Sequence, residues 1–238
     1  MSEGQRHTDM RAKPLTDLHT HILPGVDDGA PNLEIALQML KCAKDLNVGT
    51  IVATPHLRRA KDFEVCRASF ERFRPYADKA GIRLLMGFEV HYRMLEDQAR
   101  IRDCAIEGTN RLLLELPEGA LMPNWVTVLV DLVEAGIHPM IAHPERYRYI
   151  QNDIECAAQI RSYGCDLQID ARPLTGLPLT AEQRCAQRLL REGLCDHIAS
   201  DAHRPEDYSY FGKAFAKHKE RWPANVFEPA APRRPEGP

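Results

Sequence analysis

The chain of 238 residues has no apolar run approaching the roughly 20 residues that cross a bilayer, so no membrane insertion is expected. It has no excess of either charge. Lys and Arg number 31 against 34 Asp and Glu, and the formal net charge of −3 offers no basic surface for nucleic acid. Its seven cysteines show no paired spacing, and the odd count fits reduced thiols in a cytoplasmic protein. No internal repeat or linker is visible. The opening MSEGQRHTDMRAKP is polar and lacks the apolar segment of a signal peptide, so residues 1–14 read as a flexible leader. Five prolines crowd into Pro223–Pro238, which reads as an irregular tail. One domain over residues 15–222 remains, and a composition of 44% hydrophobic residues is enough to give it a core.

Within it, short β-like runs alternate with amphipathic stretches. The runs are Leu15–His19, Thr50–Ala53, Arg83–Phe88, Arg111–Leu116, Pro139–Ala142, Asp166–Ile169 and Cys195–Ser200. Between them Leu33–Leu46, Asp62–Lys79, Trp125–Ala135, Asp153–Tyr163 and Ala181–Glu192 carry helical apolar spacing, with stops at Asn47-Val48-Gly49, Ala80-Gly81 and Ala135-Gly136. Such alternation predicts an α/β fold with a parallel sheet, of a length that suits a closed (β/α) barrel.

Nearly every run ends in a side chain that can bind a metal. His19 and His21 end the first, and residues two apart on a strand point the same way. His56, Glu89, Glu115 and His143 follow or end the next ones, and Asp201 and His203 follow the last. In a parallel barrel all carboxyl ends converge on one face. A lone histidine at a strand end is usually structural, but the full series makes coincidence a poor account. With Asp27 or Asp28, the ring would hold five imidazoles and four carboxylates, costly to bury without cations and too many for one ion. Two or three divalent ions fit, with mixed donors suiting Mn²⁺, or alternatively Zn²⁺ or Fe²⁺.

Spacing does not decide between Asp27 and Asp28; one can bind metal while the other caps the turn. Arg146, in His143-Pro144-Glu145-Arg146-Tyr147, suits a phosphate anion or a surface ion pair, and both stay open. Arg58 and Arg59 are weaker phosphate candidates. His7 is expected in solvent, His138 lies at the opposite end of its strand, and His91 and His197 read as structural. Cys66…Arg72 and Cys185…Arg191 have the spacing of a thiol phosphatase loop. Neither has a glycine between, and both read as helix interior, so both are rejected.

Asp17-Leu18-His19-Thr20-His21-Ile22-Leu23-Pro24-Gly25-Val26-Asp27-Asp28-Gly29 resembles the opening of PHP-domain protein tyrosine phosphatases from bacterial capsule and exopolysaccharide loci. Ala53-Thr54-Pro55-His56, Gly87-Phe88-Glu89, Leu114-Glu115-Leu116-Pro117, Ile141 to Tyr147 and Ala199-Ser200-Asp201-Ala202-His203 extend the likeness in order from Leu15 to His203. The resemblance implies a distorted seven-stranded (β/α) TIM-like barrel with a trinuclear, usually manganese, centre. By carry-over, His19, His21, Glu89 and Asp201 would hold one ion. Glu89, Glu115 and His143 would hold a second, and Asp28, His56 and His203 a third. Arg146 would bind the phosphate, with Asp201 and His203 beside it in catalysis, and a metal-activated hydroxide would attack phosphorus directly. The implied partner is the phosphotyrosine tail of a bacterial tyrosine autokinase that controls polysaccharide export. A small-molecule phosphoesterase of the histidinol-phosphate type is the alternative. It is motivated by rim departures: Arg204-Pro205-Glu206-Asp207-Tyr208 after His203, and Val90-His91-Tyr92-Arg93 after Glu89. Arg93 or Arg204 would then replace lost phosphate contacts.

Overall fold

The structure, a computed structural model, describes residues 14–96 and 98–219. The expected leader (all but Pro14), His7 and the proline-rich tail lie outside the described residues.

Helices form where apolar spacing and end signals agree. Helix α1 (Leu33–Asp45) starts at Asn32, whose side chain accepts the Ile35 N–H, and it buries Ala36, Met39, Leu40 and Ala43. Helix α2 (Asp62–Ala80) stops at Gly81, whose φ of 70° ends the helix in the left-handed region. A single turn, α3 (Gln98–Ile101), precedes α4 (Trp125–Glu134), α5 (Arg148–Asn152) and α6 (Glu155–Ser162). Helix α7 (Ala181–Arg191) opens on a reciprocal cap between Thr180 and Gln183, and α8 (Asp207–His218) follows. No described helix is long and apolar enough to cross a membrane.

All seven expected runs are strands, but two of them break and restart. The strands are β1 (Leu15–Thr20), β2 (Val48–Ala53), β3 (His56–Leu57), β4 (Arg83–Met86), β5 (Glu89–His91), β6 (Arg111–Glu115), β7 (His138–Ala142), β8 (Asp166–Asp170) and β9 (His197–Ala199). Every pairing is parallel. The order is β1-β2-β4 in one sheet and β3-β5-β6-β7-β8-β9 in the other. The expected single closed sheet is therefore not what forms among the described residues. The division falls at Thr54-Pro55, where proline has no N–H for a ladder, and at Gly87-Phe88. A lone parallel bridge, Thr20 to Ala202, brings the segment after β9 beside β1. There the His21 N–H donates to the Ala202 carbonyl and the Asp201 N–H to that of His19, both at 2.9 Å.

The helices pack on the sheets through one large apolar cluster. A smaller cluster contains Leu18, Val52, Leu85, Leu113, Met140 and Ala199, so side chains from six different strands meet one another. At the amino ends of β6 to β9 the buried Asp166 carboxylate faces Arg111 Nη1 at 2.6 Å, His197 Nε2 at 2.8 Å and His138 Nε2 at 2.9 Å. His138 and His197 thus serve the end of the strands opposite the metal-type donors.

Burial would raise the Asp166 carboxyl, but His138 and His197 outweigh it and hold it far below its ordinary 3.8. Its contribution to stability is therefore full above pH 3.8 and fades only as pH falls further. Asp166→Ala, which strands the Arg111 charge, should cost about 3–5 kcal/mol in denaturant unfolding at neutral pH. The deficit should shrink only in strong acid.

Candidate metal centre

The pleat of β1 sends His19 and His21 to the same side, and both are fully buried. Their outer nitrogens are committed. His19 Nδ1–H donates to Gln168 Oε1 at 2.8 Å, and His21 Nδ1–H donates to Asp27 Oδ2 at 2.7 Å. In a neutral ring either acceptor would fix the tautomer and leave the lone pair on Nε2. These two nitrogens lie 3.1 Å apart. Each is also 3.2 Å from Asp201 Oδ1, and they are 3.4 and 3.3 Å from Glu89 Oε2. Four lone-pair atoms converging at such distances repel unless protons or a cation stand between them.

The other expected donors arrive from the remaining strand ends. His56 opens β3, with Nδ1 2.8 Å from Glu89 Oε2. His143 follows β7, with Nε2 2.6 Å from Glu89 Oε1. The two oxygens of one carboxylate thus face different imidazoles. Glu115 joins His56 and Glu89 in a group whose donor atoms all lie within 4.8 Å. A further group joins Asp28, His56 and His203 with His21. Asp28 Oδ1 is 3.3 Å from His56 Nε2 and 3.5 Å from His203 Nε2. His143 and Asp201 have φ of 36° and 47°, conformations that cost non-glycine residues about 1–3 kcal/mol and persist where surrounding contacts enforce them.

Electrostatics record the crowding. Burial pushes the His19 imidazole down, but Asp201 and Glu89 outweigh it and raise it to about 9. His21 is likewise held well above its ordinary value against burial, by Asp201, Asp27 and Glu89. Burial pushes Glu89 up, yet His19 and His143 hold it well below the carboxylate range. Burial and the neighbouring Glu89 raise Glu115. Among the described residues, buried Glu89 Oε2, Glu115 Oε2, His56 Nδ1 and His143 Nδ1 find no hydrogen bond of acceptable geometry. Orphaned donors and acceptors of mixed imidazole and carboxylate type are what divalent transition-metal ions satisfy.

The paired aspartates divide their work. Asp27 Oδ1 accepts the Gly29 N–H at 3.0 Å, and Oδ2 accepts from His21 and from the His56 N–H at 3.1 Å. Asp27 therefore orients the His21 imidazole and ties two strand ends together, while Asp28 faces the imidazoles of His56 and His203. Gly29 makes the loop possible. A Cβ there would lie 2.1 Å from the His21 carbonyl oxygen and 2.4 Å from its Cβ.

Sequence reasoning missed Gln168 and Asp170. Gln168 Nε2 donates to Asp170 Oδ1 at 3.1 Å, so one amide joins His19 to Asp170. The available signal was polar alternation in Asp166-Leu167-Gln168-Ile169-Asp170, in the one run without an expected ligand. Arg146 is not a surface ion pair. Its Nη2 donates to Asp170 Oδ2 and to Asp201 Oδ2. Among the described residues its Nε and Nη1 make no hydrogen bond, and the side chain is 36% exposed. It lines a cavity of about 790 Å³ shared with Asp28, Asp201, His203, Arg172 and Arg204. Arg172, also unforeseen, lies 5.3 Å from the Tyr210 ring. Arg58 Nη2 donates to His56 Nε2, whereas Arg59 is spent on Asp62 and Arg93 leans on Tyr92. Cys66 and Cys185 are buried in α2 and α7, and burial pushes both thiols up to about 12, far from a thiolate.

Residues 15–210 match the family model for capsular polysaccharide synthesis, CpsB/CapC. The chain is 32% identical over 199 residues to CapC of Staphylococcus aureus, covering 79% of this chain and 77% of that one. It is 28% identical over 200 residues to the tyrosine-protein phosphatase YwqE of Bacillus subtilis, with coverage of 79% and 77%. Among solved structures, one chain from the crystal structures of YwqE from Bacillus subtilis and CpsB from Streptococcus pneumoniae, described as unique metal-dependent tyrosine phosphatases, gives a TM-score of 0.74. There the identity is 26%, over 87% of each chain.

Gly29→Ala should push the loop off His21 and misalign Asp27 and Asp28. Calorimetric titration of metal-stripped protein with divalent transition-metal ions should show affinity lower by about 10-fold or more, the range expected when groups that orient ligands are lost.

Proposed function

Since the chain belongs to the CpsB/CapC family of capsular polysaccharide synthesis, we propose that it hydrolyses phosphotyrosine as a metal-dependent protein tyrosine phosphatase. The observation that carries this reading is the convergence of His19, His21, Glu89 and Asp201 atoms at 3.1–3.4 Å, with both outer imidazole nitrogens already committed.

In this reading His19, His21, Glu89 and Asp201 hold one ion. Glu89, Glu115 and His143 hold a second, and Asp28, His56 and His203 a third. The donor chemistry favours Mn²⁺, with Zn²⁺ and Fe²⁺ as alternatives. Bound divalent ions would supply Lewis acidity and lower the pKa of a water for in-line attack on phosphorus. Arg146, pinned through Nη2, keeps Nη1 and Nε, which lie on opposite sides of the guanidinium, and either can donate to a phosphate oxygen. Asp201 and His203 line the same cavity as Arg146, which supports a catalytic role for both beside the arginine. Arg172 and Arg204, the latter in the altered segment after His203, line the same cavity.

We read the two sheets as one distorted (β/α) barrel. The Thr20–Ala202 bridge and the apolar cluster drawn from six strands support that view. The proposed physiological partner is the phosphotyrosine tail of a tyrosine autokinase. A cytoplasmic setting suits the seven free cysteines.

Metal-stripped protein should be inert toward a phosphotyrosine peptide and regain turnover with Mn²⁺, while a phosphoserine peptide and histidinol phosphate are spared. Preference for histidinol phosphate would move the protein into small-molecule metabolism; no turnover of any of the three would remove the phosphatase reading. His203→Ala or Glu89→Ala should abolish turnover, and Cys66→Ser and Cys185→Ser should retain it. Lost activity in either folded serine variant would contradict a thiol-independent mechanism.

A further inference from the structure

We infer that Gln168 and Asp170 are positioning residues that join the phosphate-facing arginine to the His19 metal ligand through four hydrogen bonds, a ring that the proposed ion between Asp201 and His19 would close. The inference rests on the metal-centre reading above.

The ring can be followed atom by atom. His19 Nδ1–H donates to Gln168 Oε1, and Gln168 Nε2–H donates to Asp170 Oδ1. Asp170 Oδ2 accepts from Arg146 Nη2, which also donates to Asp201 Oδ2. Asp201 Oδ1 returns to His19 Nε2 at 3.2 Å, across the position of the proposed ion. The members come from β1, from β8 and from the segments after β7 and β9, so no single element fixes their mutual placement. His19, Gln168 and Asp170 are buried. Asp170 is fixed from behind as well, because its N–H donates to Oε1 of the buried Glu145 at 2.9 Å.

Each residue type is set by this circuit. The link between His19 and Asp170 needs an acceptor on one side and a donor on the other, and an amide side chain supplies both. Asp170 must accept on both oxygens. Asparagine in the same orientation would turn an amide N–H toward the guanidinium, donor against donor. Breaking the ring anywhere therefore loosens His19 and Arg146 together. A simple role in satisfying buried polar groups would affect stability and leave the two functions unlinked.

The test uses the full chain carrying Asp170→Asn, Gln168→Leu and both changes, with thermal melts to establish folding and Gln168→Met in reserve. Mn²⁺ dissociation constants come from competition with a fluorescent chelator. kcat and KM come from a phosphotyrosine peptide at saturating Mn²⁺. Gln168→Leu should weaken Mn²⁺ binding by about 10–100-fold. Asp170→Asn should weaken it too, and at saturating metal should raise KM about 10-fold with a smaller change in kcat, as expected for lost substrate binding. The double variant should bind Mn²⁺ no worse than about threefold below the weaker single variant, because one break already opens the ring. The ring is overturned if Asp170→Asn leaves Mn²⁺ affinity and KM both within about twofold, or if the two substitutions multiply as independent sites do. Mn²⁺ affinity is read without turnover. A protein that binds metal but ignores phosphotyrosine would thus refute the phosphatase reading, while the affinities still decide the ring.

Discussion

The buried carboxylate of Glu89 is the point on which the structure turns. One oxygen faces His143, and the other faces His19, His21 and His56. A carboxylate is costly to bury alone, and imidazoles arranged around it are costly to hold as bare lone pairs. Protons or divalent ions satisfy both at once. Asp201 and Glu89 raise the His19 imidazole to about 9 against the effect of burial, so protons would compete with a cation for this site.

The backbone accommodates that concentration of donors. The second and third strand positions break at Thr54-Pro55 and Gly87-Phe88, and each restart carries a donor, His56 or Glu89, as its first residue. Positive φ at His143 and Asp201 aims two more side chains inward. The Gly29 loop closes against His21, where a side chain would collide. Strain of this kind is held by apolar packing elsewhere, and the opposite strand ends carry a separate polar anchor on Asp166.

Much of the candidate site was legible because side chains able to bind a metal are chemically restricted. Imidazoles and carboxylates recurring at the ends of β-like runs could be picked out one by one, and parallel topology said they would meet. The residues that orient them were not legible. Gln168 and Asp170 look like ordinary polar positions of a strand, and Asp27 looks like its neighbour Asp28. Their roles depend on which atom lies opposite, a relation among residues far apart in sequence. Arg146 shows the same limit. Its fork suited either a phosphate or an ion pair, and two carboxylates from different segments set its actual environment.

By itself, the sequence determined which side chains could serve as donors, the α/β alternation, the helix stops and the helical setting of Cys66 and Cys185. Each depends on residue type and local spacing, which short-range physics reads directly. Tertiary structure alone decided where the sheet divides, which aspartate faces the imidazoles and how the guanidinium is pinned. It also decided that one amide ties β1 to β8. Those outcomes follow from distances of a few ångströms between segments separated by up to 183 positions, as between Ser200 and Asp17. Only the packed chain sets such distances.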